Sequence, residues 1–356
     1  MPLTEDENCL RAWRRTGPEW IPFRASLTLP LWDEIGGELE RIVARHPSLF
    51  PDGVHRPSRQ NLRPYQRAGE GYTDMWGCTW RTDRDGVTGV VVASPLAEGW
   101  HRLDSYTPPD PARQLTWTPI DWHAERARIA EAKREGRLAG GSTDHGFFFM
   151  RLYYLRGFQN LMIDMAEDDP HLQRLIAIIE KHYRYVVGQY AAMGVDLVGF
   201  GEDLGTQTAS MMGPRHFRRY VAPTYRRLFA PVHACGALVK LHSDGYIMDI
   251  MDDILASGVD VINPQDLVNG VDPLAREVKG RAVIDLDLDR QSLIPFGDPA
   301  DIRTHVESCV RKLGAPEGGL SFVVGLYPPT PPENVEALFS AVEEYRTWWR
   351  DGRGRR

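Results

Sequence analysis

The stretch Leu197–Pro264 reads LVGFGEDLGTQ from residue 197, LVKLHSDG from residue 238 and VDVINP from residue 259, with an amphipathic helical segment in each interval. Short apolar runs that alternate with helices predict buried parallel strands joined by crossover helices. Further runs at 282–286 and 320–325 extend the pattern to about eight strands. The sequence therefore predicts an α/β fold, a (β/α)8 TIM barrel with an N-terminal extension. A doubly wound open sheet is the alternative, because alternation alone does not prove that a sheet closes.

The domain organisation follows from where the pattern is regular. We expect residues 1–70 to form an N-terminal extension that contributes to the barrel rim, and residues 71–349 to form the barrel. The basic segment 350–356 is expected to be a disordered tail. Within the barrel, the apolar run Gly146–Tyr153 (GFFFMRLY) is predicted to be a strand.

Composition excludes several classes of protein. The 356-residue chain has a net charge of −7 and 42% hydrophobic residues. An acidic chain lacks the basic surface of a nucleic-acid binder or of a protein that binds anionic membranes. No apolar stretch reaches the ~18 residues that a membrane span needs. Four scattered cysteines without a CxxC motif favour a reduced, cytoplasmic setting.

Polar side chains collect where the predicted strands end. In a parallel barrel the carboxyl ends of the strands form the active face. Carboxylates, an imidazole and carboxamides follow the three runs of the stretch, namely Glu202, Asp203, Gln207, His242, Asp244, Asn263 and Gln265. We expect a small-molecule site on this rim.

Glu202 and Asp203 are adjacent, so in a strand their side chains point to opposite faces, and at most one is expected to face the barrel mouth. Either could serve as a metal ligand or as a general acid or base. The alternative is that one caps a helix or pairs with an arginine.

His242 and Asp244 lie two residues apart and could approach one ligand, since neutral imidazole and carboxylate both suit Zn²⁺. The alternative is that His242 is a hydrogen-bonded core residue and that Asp244 caps the next helix.

Four other residues are candidates for the site. Asp285 belongs to an alternating Asp-Leu run whose acids share one face. Asp74 precedes Trp76 in DMWGCTW, where an indole could raise the pKa of the carboxylate and make it an acid, or simply pack. Tyr327 follows the last predicted strand, where a substrate-binding hydroxyl would lie.

Several motifs resemble the uroporphyrinogen decarboxylase superfamily. They are the run from Gly199 to Gln265 (GFGEDLGTQTASMMG onward), DMWGCTW, SPLAEGW and the closing PPENVEAL. The resemblance covers most of the chain from about residue 70. It implies a (β/α)8 barrel with a ligand cleft at the carboxyl end of the strands. The family contains metal-independent decarboxylases of tetrapyrrole acetate groups and zinc-dependent methyltransferases that work with a corrinoid protein.

This chain departs from both branches. The arginine-rich N-terminal signature of the decarboxylases is missing. The HxC motif of the thiol-activating methyltransferases keeps its histidine, His242, but Asp244 stands where the cysteine would be. If zinc binds, the resemblance implies a site made by His242 with carboxylates of Glu202, Asp203 or Asp244. Such a site would suit a substrate oxygen.

Three hypotheses follow from the resemblance. The first is a methyltransferase, closer to the corrinoid-linked branch, which moves a methyl group from an ether or alcohol to a corrinoid on a partner protein. Its catalytic residues would be Glu202, Asp203, His242 and Asp74, and its substrate-binding residues Trp76, Gln207, Asn263, Asp285 and Tyr327.

The second hypothesis is a decarboxylase of a tetrapyrrole or other cyclic carboxylate, without a cofactor, in which Asp74 or Asp203 donates the proton. The third is a binding barrel that has lost its chemistry. The resemblance also implies a homodimer.

Overall fold

The computed structural model describes residues 3–350. The predicted basic tail at 350–356 therefore lies outside the described residues, apart from Arg350. Ten strands are present in this part of the chain: β1 Phe23–Leu27, β2 Gly71–Thr73, β3 Thr79–Arg81, β4 Val90–Ala93, β5 Gly140–His145, β6 Leu197–Asp203, β7 Leu238–Asp244, β8 Val261–Pro264, β9 Val283–Asp287 and β10 Leu320–Leu326.

Helices separate most of these strands. They are α1 Glu5–Arg14, α2 Leu29–Arg45, α3 Trp122–Arg134, α4 Phe148–Arg156, α5 Phe158–Ala166, α6 Pro170–Met193, α7 Pro214–His216, α8 Ala222–Ala234, α9 Met251–Ala256, α10 Asp266–Asn269, α11 Val271–Glu277, α12 Leu293–Phe296, α13 Pro299–Leu313 and α14 Pro332–Tyr345. A wider helical turn, Phe217–Val221, joins α7 to α8.

The predicted fold class is confirmed as α/β and TIM-barrel-like. Among the described residues, seven parallel strands, β1 and β5–β10, alternate with helices along the chain, rather than the eight of a complete (β/α)8 barrel. Strands β2, β3 and β4 form a separate antiparallel sheet.

The chain forms two compact units. The first contains the described parts of Met1–Gln66, Arg84–Val87 and Asn263–Arg356, and the second contains Arg67–Asp83 and Thr88–Ile262. In the first unit β1 pairs with β10, and β10 pairs with β9, both in parallel.

The second unit contains the pairs β5–β6 and β6–β7, also parallel. Its longest helix, α6, begins where the Asp169 side chain accepts a hydrogen bond from the His171 amide. It ends at Gly194, whose φ of 65° lies in the left-handed region that glycine adopts without strain. Its buried residues, which recur at three- and four-residue steps, form the face towards the core.

The structure corrects the predicted strand at Gly146–Tyr153. The strand there is β5, Gly140–His145, and most of the apolar run belongs to helix α4. Strand β5 (GGSTDH) has no apolar side chain. At one of its buried positions, Gly141 faces the ring of buried Tyr190, where an added Cβ would lie 2.4 Å from a ring carbon. When a short apolar run is buried on all sides, its sequence pattern does not distinguish a strand from a helix.

No helix within residues 3–350 combines the length and the apolar character that crossing a bilayer requires.

Two glycine substitutions in the second unit should have opposite effects. Gly141→Ala should lower the free energy of unfolding by about 2 kcal/mol, because the methyl group would overlap the Tyr190 ring. Gly188→Ala, in α6, meets no atom within 4 Å and should raise it by about 0.5–1 kcal/mol through helix propensity. Urea denaturation of both variants checks this, and equal effects would contradict the packing of β5 against α6.

Candidate functional site

Three neighbouring strands of the second unit bring two histidines together. The parallel register aligns His145 of β5 with Gly201 of β6, and Gly201 with His242 of β7. Aligned residues of adjacent strands share a face of the sheet. An added Cβ at Gly201 would lie 3.1 Å from the Cα and 3.2 Å from the Nδ1 of His145. Glycine at this position therefore leaves the space between the two imidazoles free.

Asp203 lies on the same face as Gly201, two residues further along β6. Its Oδ2 is 3.4 Å from Nε2 of His145, and its Oδ1 is 3.8 Å from Nε2 of His242. Asp244 adds an Oδ1 at 3.5 Å from the same His242 nitrogen. His145, Asp203 and His242 each offer one ligand atom, and the three atoms lie within 4.8 Å of one another.

Electrostatics in this cluster keep Asp203 charged. Burial alone would raise the pKa of Asp203, but the hydrogen bond and charge of His145, with the charge of His242, outweigh burial and leave the pKa lowered. Burial alone would lower the pKa of His145, but the hydrogen bond to Asp203 and the charges of Asp203 and Asp244 raise it. An anionic oxygen of Asp203 thus lies beside the ring nitrogens of His145 and His242.

This donor set fits a zinc ion. In a tetrahedral zinc site with bonds of about 2.0–2.2 Å, ligand atoms are about 3.3 Å apart. Asp203 Oδ2 lies 3.4 Å from Nε2 of His145, and Asp203 Oδ1 lies 3.8 Å, slightly more than that spacing, from Nε2 of His242, so each carboxylate oxygen lies near one ring. Two nitrogens and one oxygen could also hold another transition metal.

A local irregularity in β5 orients His145. The register with β6 shifts between Ser142 and His145, and Asp144 has a φ of 65°. The Asp144 carboxylate accepts a hydrogen bond from the Thr116 amide at 3.1 Å. Bulges of this kind redirect the following side chain, so the His145 ring reaches Asp203.

A cavity of about 470 Å³ in the same unit reaches this cluster. Its lining includes His145 and Asp203 together with aromatic and apolar side chains, among them Trp80, Met150, Tyr153, Tyr154 and Phe158. No lysine or arginine is among the described residues that line it. The cavity therefore suits an uncharged, largely apolar molecule more than one with several carboxylates.

Glu202 lies on the opposite face of β6. It is fully buried and accepts hydrogen bonds from the amides of Phe149 at 2.7 Å and Met150 at 3.0 Å, and from the Tyr225 hydroxyl at 2.8 Å. Burial raises the pKa of Glu202 to about 7, although these three donors oppose the shift. The carboxyl group thereby ties the start of α4 to β6 and is not part of the histidine cluster.

Asp74 and Trp76 lie in a buried network of the second unit. The Asp74 carboxylate accepts hydrogen bonds from the amides of Trp76 and Cys78 and from the Trp80 indole, each at 2.9 Å. It also pairs with the fully buried Arg151 at 3.2 Å. Trp76 is 1% exposed. The catalytic role of Asp74 and the substrate contact of Trp76 stay predictions.

Two further predicted residues lie in the second unit, and only one of them is near the histidine cluster. Asp244 joins the cluster through His242, whereas Gln207 is exposed on the turn after β6.

The remaining predicted residues belong to the first unit. Asn263 donates a hydrogen bond to the Asp285 carbonyl oxygen at 2.5 Å. The buried Asp285 carboxylate accepts one from Ser321 and lies 3.6 Å from Arg24. Tyr327 is 38% exposed. Their roles in substrate binding remain predictions.

His145 was missed by the sequence analysis, although it stands beside Asp203. The signal was present, because a histidine directly precedes the glycine of DHGFFF. The strand predicted at Gly146–Tyr153 puts His145 before a strand, whereas in the structure His145 ends strand β5.

Comparisons with known proteins agree with this fold. A family model described as "Uroporphyrinogen decarboxylase (URO-D)" matches residues 74–345, more than half of the chain. The uroporphyrinogen decarboxylase of Thermus thermophilus is 28% identical over 174 residues, which are 47% of this chain and 46% of that protein. The enzyme of Solibacter usitatus is 27% identical over 136 residues, 38% of each chain. The match thus spans about half the length of these relatives or less.

Among solved structures, a methyltransferase from Methanosarcina mazei has the same fold. It superposes with a TM-score of 0.67 at 15% sequence identity and covers 97% of this chain and 99% of that one.

Loss of the Glu202 carboxyl group should destabilise the protein. Glu202→Ala leaves two amides and a buried hydroxyl without their acceptor and opens a cavity, so the free energy of unfolding should fall by about 3–5 kcal/mol. Glu202→Gln keeps one oxygen and should cost about half as much. Exposed Glu98→Ala serves as a control and should change stability by less than about 0.5 kcal/mol. Chemical denaturation measures all three, and a Glu202→Ala protein as stable as wild type would contradict the anchoring role.

Proposed function

The chain belongs to the uroporphyrinogen decarboxylase (URO-D) family, and we propose that it is a methyltransferase within that family. It moves a methyl group from an oxygen-bound donor, an ether or an alcohol, to a corrinoid carried by a partner protein. His145, Asp203 and His242 would hold a Zn²⁺ ion that assists the reaction. The observation that carries the proposal is the convergence of these three side chains beside an aromatic cavity whose described lining has no lysine or arginine.

The donor set matches the chemistry required. Zn²⁺, when bound by two imidazoles and a carboxylate, supplies a Lewis acid that makes an ether or alcohol oxygen a better leaving group. The site lacks thiolate, and oxygen ligands favour harder partners such as a substrate oxygen. Asp244, near the His242 ring, helps to hold that ring in place.

The chain's own residues position the donor. The walls formed by Trp80, Tyr153, Tyr154 and Phe158 offer aromatic faces that hold an apolar group and exclude water. His145 and Asp203 lie in the same lining, so a donor oxygen can approach the ligand set while its carbon framework packs on the rings. The corrinoid supplies the methyl acceptor from the partner protein.

The fold is one on which methyl transfer is carried out. A methyltransferase from Methanosarcina mazei shares it, so the architecture accommodates this class of reaction. A cytoplasmic location and a homodimer remain predictions.

Decarboxylation is the alternative, because the relatives found by sequence are uroporphyrinogen decarboxylases. Two observations weigh against it. Among the described residues that line the cavity there is no arginine or lysine to hold substrate carboxylates. Asp203, whose pKa is lowered, is deprotonated at neutral pH and so poorly suited to donate a proton. A decarboxylase of this family would need no metal or organic cofactor.

Removing a histidine of the cluster should abolish methyl transfer. We expect His145→Ala and His242→Ala each to lose one equivalent of zinc and to lower the rate at least about a hundredfold. The assay supplies methanol and a panel of aryl methyl ethers as donors and a reduced corrinoid as acceptor, with zinc measured by plasma mass spectrometry. His123→Ala, an exposed histidine on α3, is the control and should match wild type.

Treatment with a chelator distinguishes methyl transfer from decarboxylation. Methyl transfer should stop on treatment with a strong zinc chelator and resume when zinc returns. Release of CO₂ from a porphyrinogen at a rate that neither chelator nor His242→Ala changes would contradict the proposal and favour decarboxylation.

The space between the histidines should be needed for metal binding. Gly201→Ala places a methyl group against His145 and should weaken zinc affinity about tenfold or more, while the secondary structure stays unchanged. Gly199→Ala lies on the same face of β6, where its Cβ would have only an ordinary contact of 3.7 Å, and should bind zinc as wild type does. Competition with a zinc-sensitive dye measures both, and equal affinities would contradict the arrangement.

A further inference from the structure

A second cluster of ligand-type side chains lies in the first unit. His305 and Cys309 are four residues apart in α13, so they share one face of that helix. Asp266 opens α10, directly after β8. Nε2 of His305 lies 2.6 Å from Oδ2 of Asp266 and 3.5 Å from Sγ of Cys309. The three ligand atoms lie within 4.8 Å of one another.

The cluster is buried. Asp266 and Cys309 are both 0% exposed, and the His305 side chain is 14% exposed. Burying a carboxylate is costly unless a cation or hydrogen-bond donors compensate for the lost water. The structure provides the His305 ring and the Leu267 amide as partners of Asp266.

The geometry excludes a catalytic Cys-His-Asp relay. In such a relay the nucleophile contacts one ring nitrogen and the carboxylate contacts the other. Here carboxylate and sulfur both approach the same nitrogen, Nε2 of His305. That nitrogen carries at most one proton, which cannot serve both partners. A cation can, because it accepts lone pairs from all three atoms at one point.

We propose that Asp266, His305 and Cys309 bind a second divalent metal ion, with Zn²⁺ as the best match. Tetrahedral zinc with bonds of about 2.0 Å to nitrogen and 2.3 Å to sulfur places those atoms about 3.5 Å apart, which is the distance observed. The carboxylate lies closer, at 2.6 Å from Nε2 of His305, which is a hydrogen-bond distance. Binding requires it to move outward by about 0.7 Å.

Charge balance favours the same ion. The Cys309 thiol releases its proton to solvent on binding, and the imidazole releases any proton held by Nε2. One thiolate, one carboxylate and one neutral imidazole then neutralise a charge of +2 in a buried place. The fourth position is left to water, which can enter at the partly exposed side of His305.

The role of this ion is structural. Its ligands come from α13 and from the segment after β8, which are separate in sequence, so the ion cross-links them within the first unit. It differs from the histidine cluster of the second unit, which contains no sulfur. An experiment that detects a cysteine ligand can therefore distinguish the two sites.

Cobalt substitution of the full chain tests the proposal. After chelation of bound metals, Co²⁺ is added without oxygen and absorption is recorded. Thiolate bound to Co²⁺ gives a charge-transfer band in the near ultraviolet, which imidazole and carboxylate do not. The band should saturate by two equivalents in wild type and in the control Cys235→Ser, where both sites take up Co²⁺, and at about one equivalent in His242→Ala, where only the sulfur site is left. It should vanish in Cys309→Ser, and His305→Gln should weaken Co²⁺ binding at least tenfold.

Stability gives a second measurement. Zinc should raise the melting temperature of His242→Ala by several degrees, since a ligand that binds only the folded state stabilises it. It should have no such effect when Cys309→Ser is added. Wild-type protein without the band at several equivalents of Co²⁺, or a band that Cys309→Ser retains, overturns the proposal whether or not the variants fold well. Either result leaves methyl transfer at the other site unaffected, so the two proposals fail separately.

Discussion

The parallel register of β5, β6 and β7 is the constraint on which the candidate site depends. It places His145, Gly201 and His242 side by side, and a side chain on the middle residue would press on His145. Backbone hydrogen bonding thus fixes the separation of two imidazoles that are far apart in sequence. A slip of one residue would turn every side chain of a strand to the other face, and the ligand set would no longer form.

The alternation of side chains along β6 then gives two adjacent carboxylates different roles. Asp203 faces the histidines and the cavity, and the two histidines lower the pKa of its carboxyl group. Glu202 faces the helices, where the amides of α4 and the Tyr225 hydroxyl use its oxygens. The Glu202 carboxylate thereby holds the segment that follows His145, so a structural carboxylate and a proposed metal ligand are adjacent in one strand.

Much of this was predictable from sequence, and the part that was not has physical causes. The apolar runs predict β6, β7, β9 and β10 because these strands are buried, and strand periodicity predicts that Glu202 and Asp203 point apart. Strand periodicity does not reveal that His145 ends a strand, because β5 has no apolar side chain and one of its buried positions is Gly141, which makes room for Tyr190. The contact of Asp266 with His305 was not predictable either, because it depends on how α13 packs and no sequence spacing encodes that.

The central claim is that His145, Asp203 and His242 jointly hold a metal ion. Anomalous diffraction at the zinc edge, from zinc-loaded crystals of the Cys309→Ser protein, tests it most directly. The account predicts a peak about 2.0–2.2 Å from a nitrogen of each histidine and an oxygen of Asp203. The account is contradicted if zinc in the loaded crystals is bound only elsewhere, or if these three side chains point away from one another.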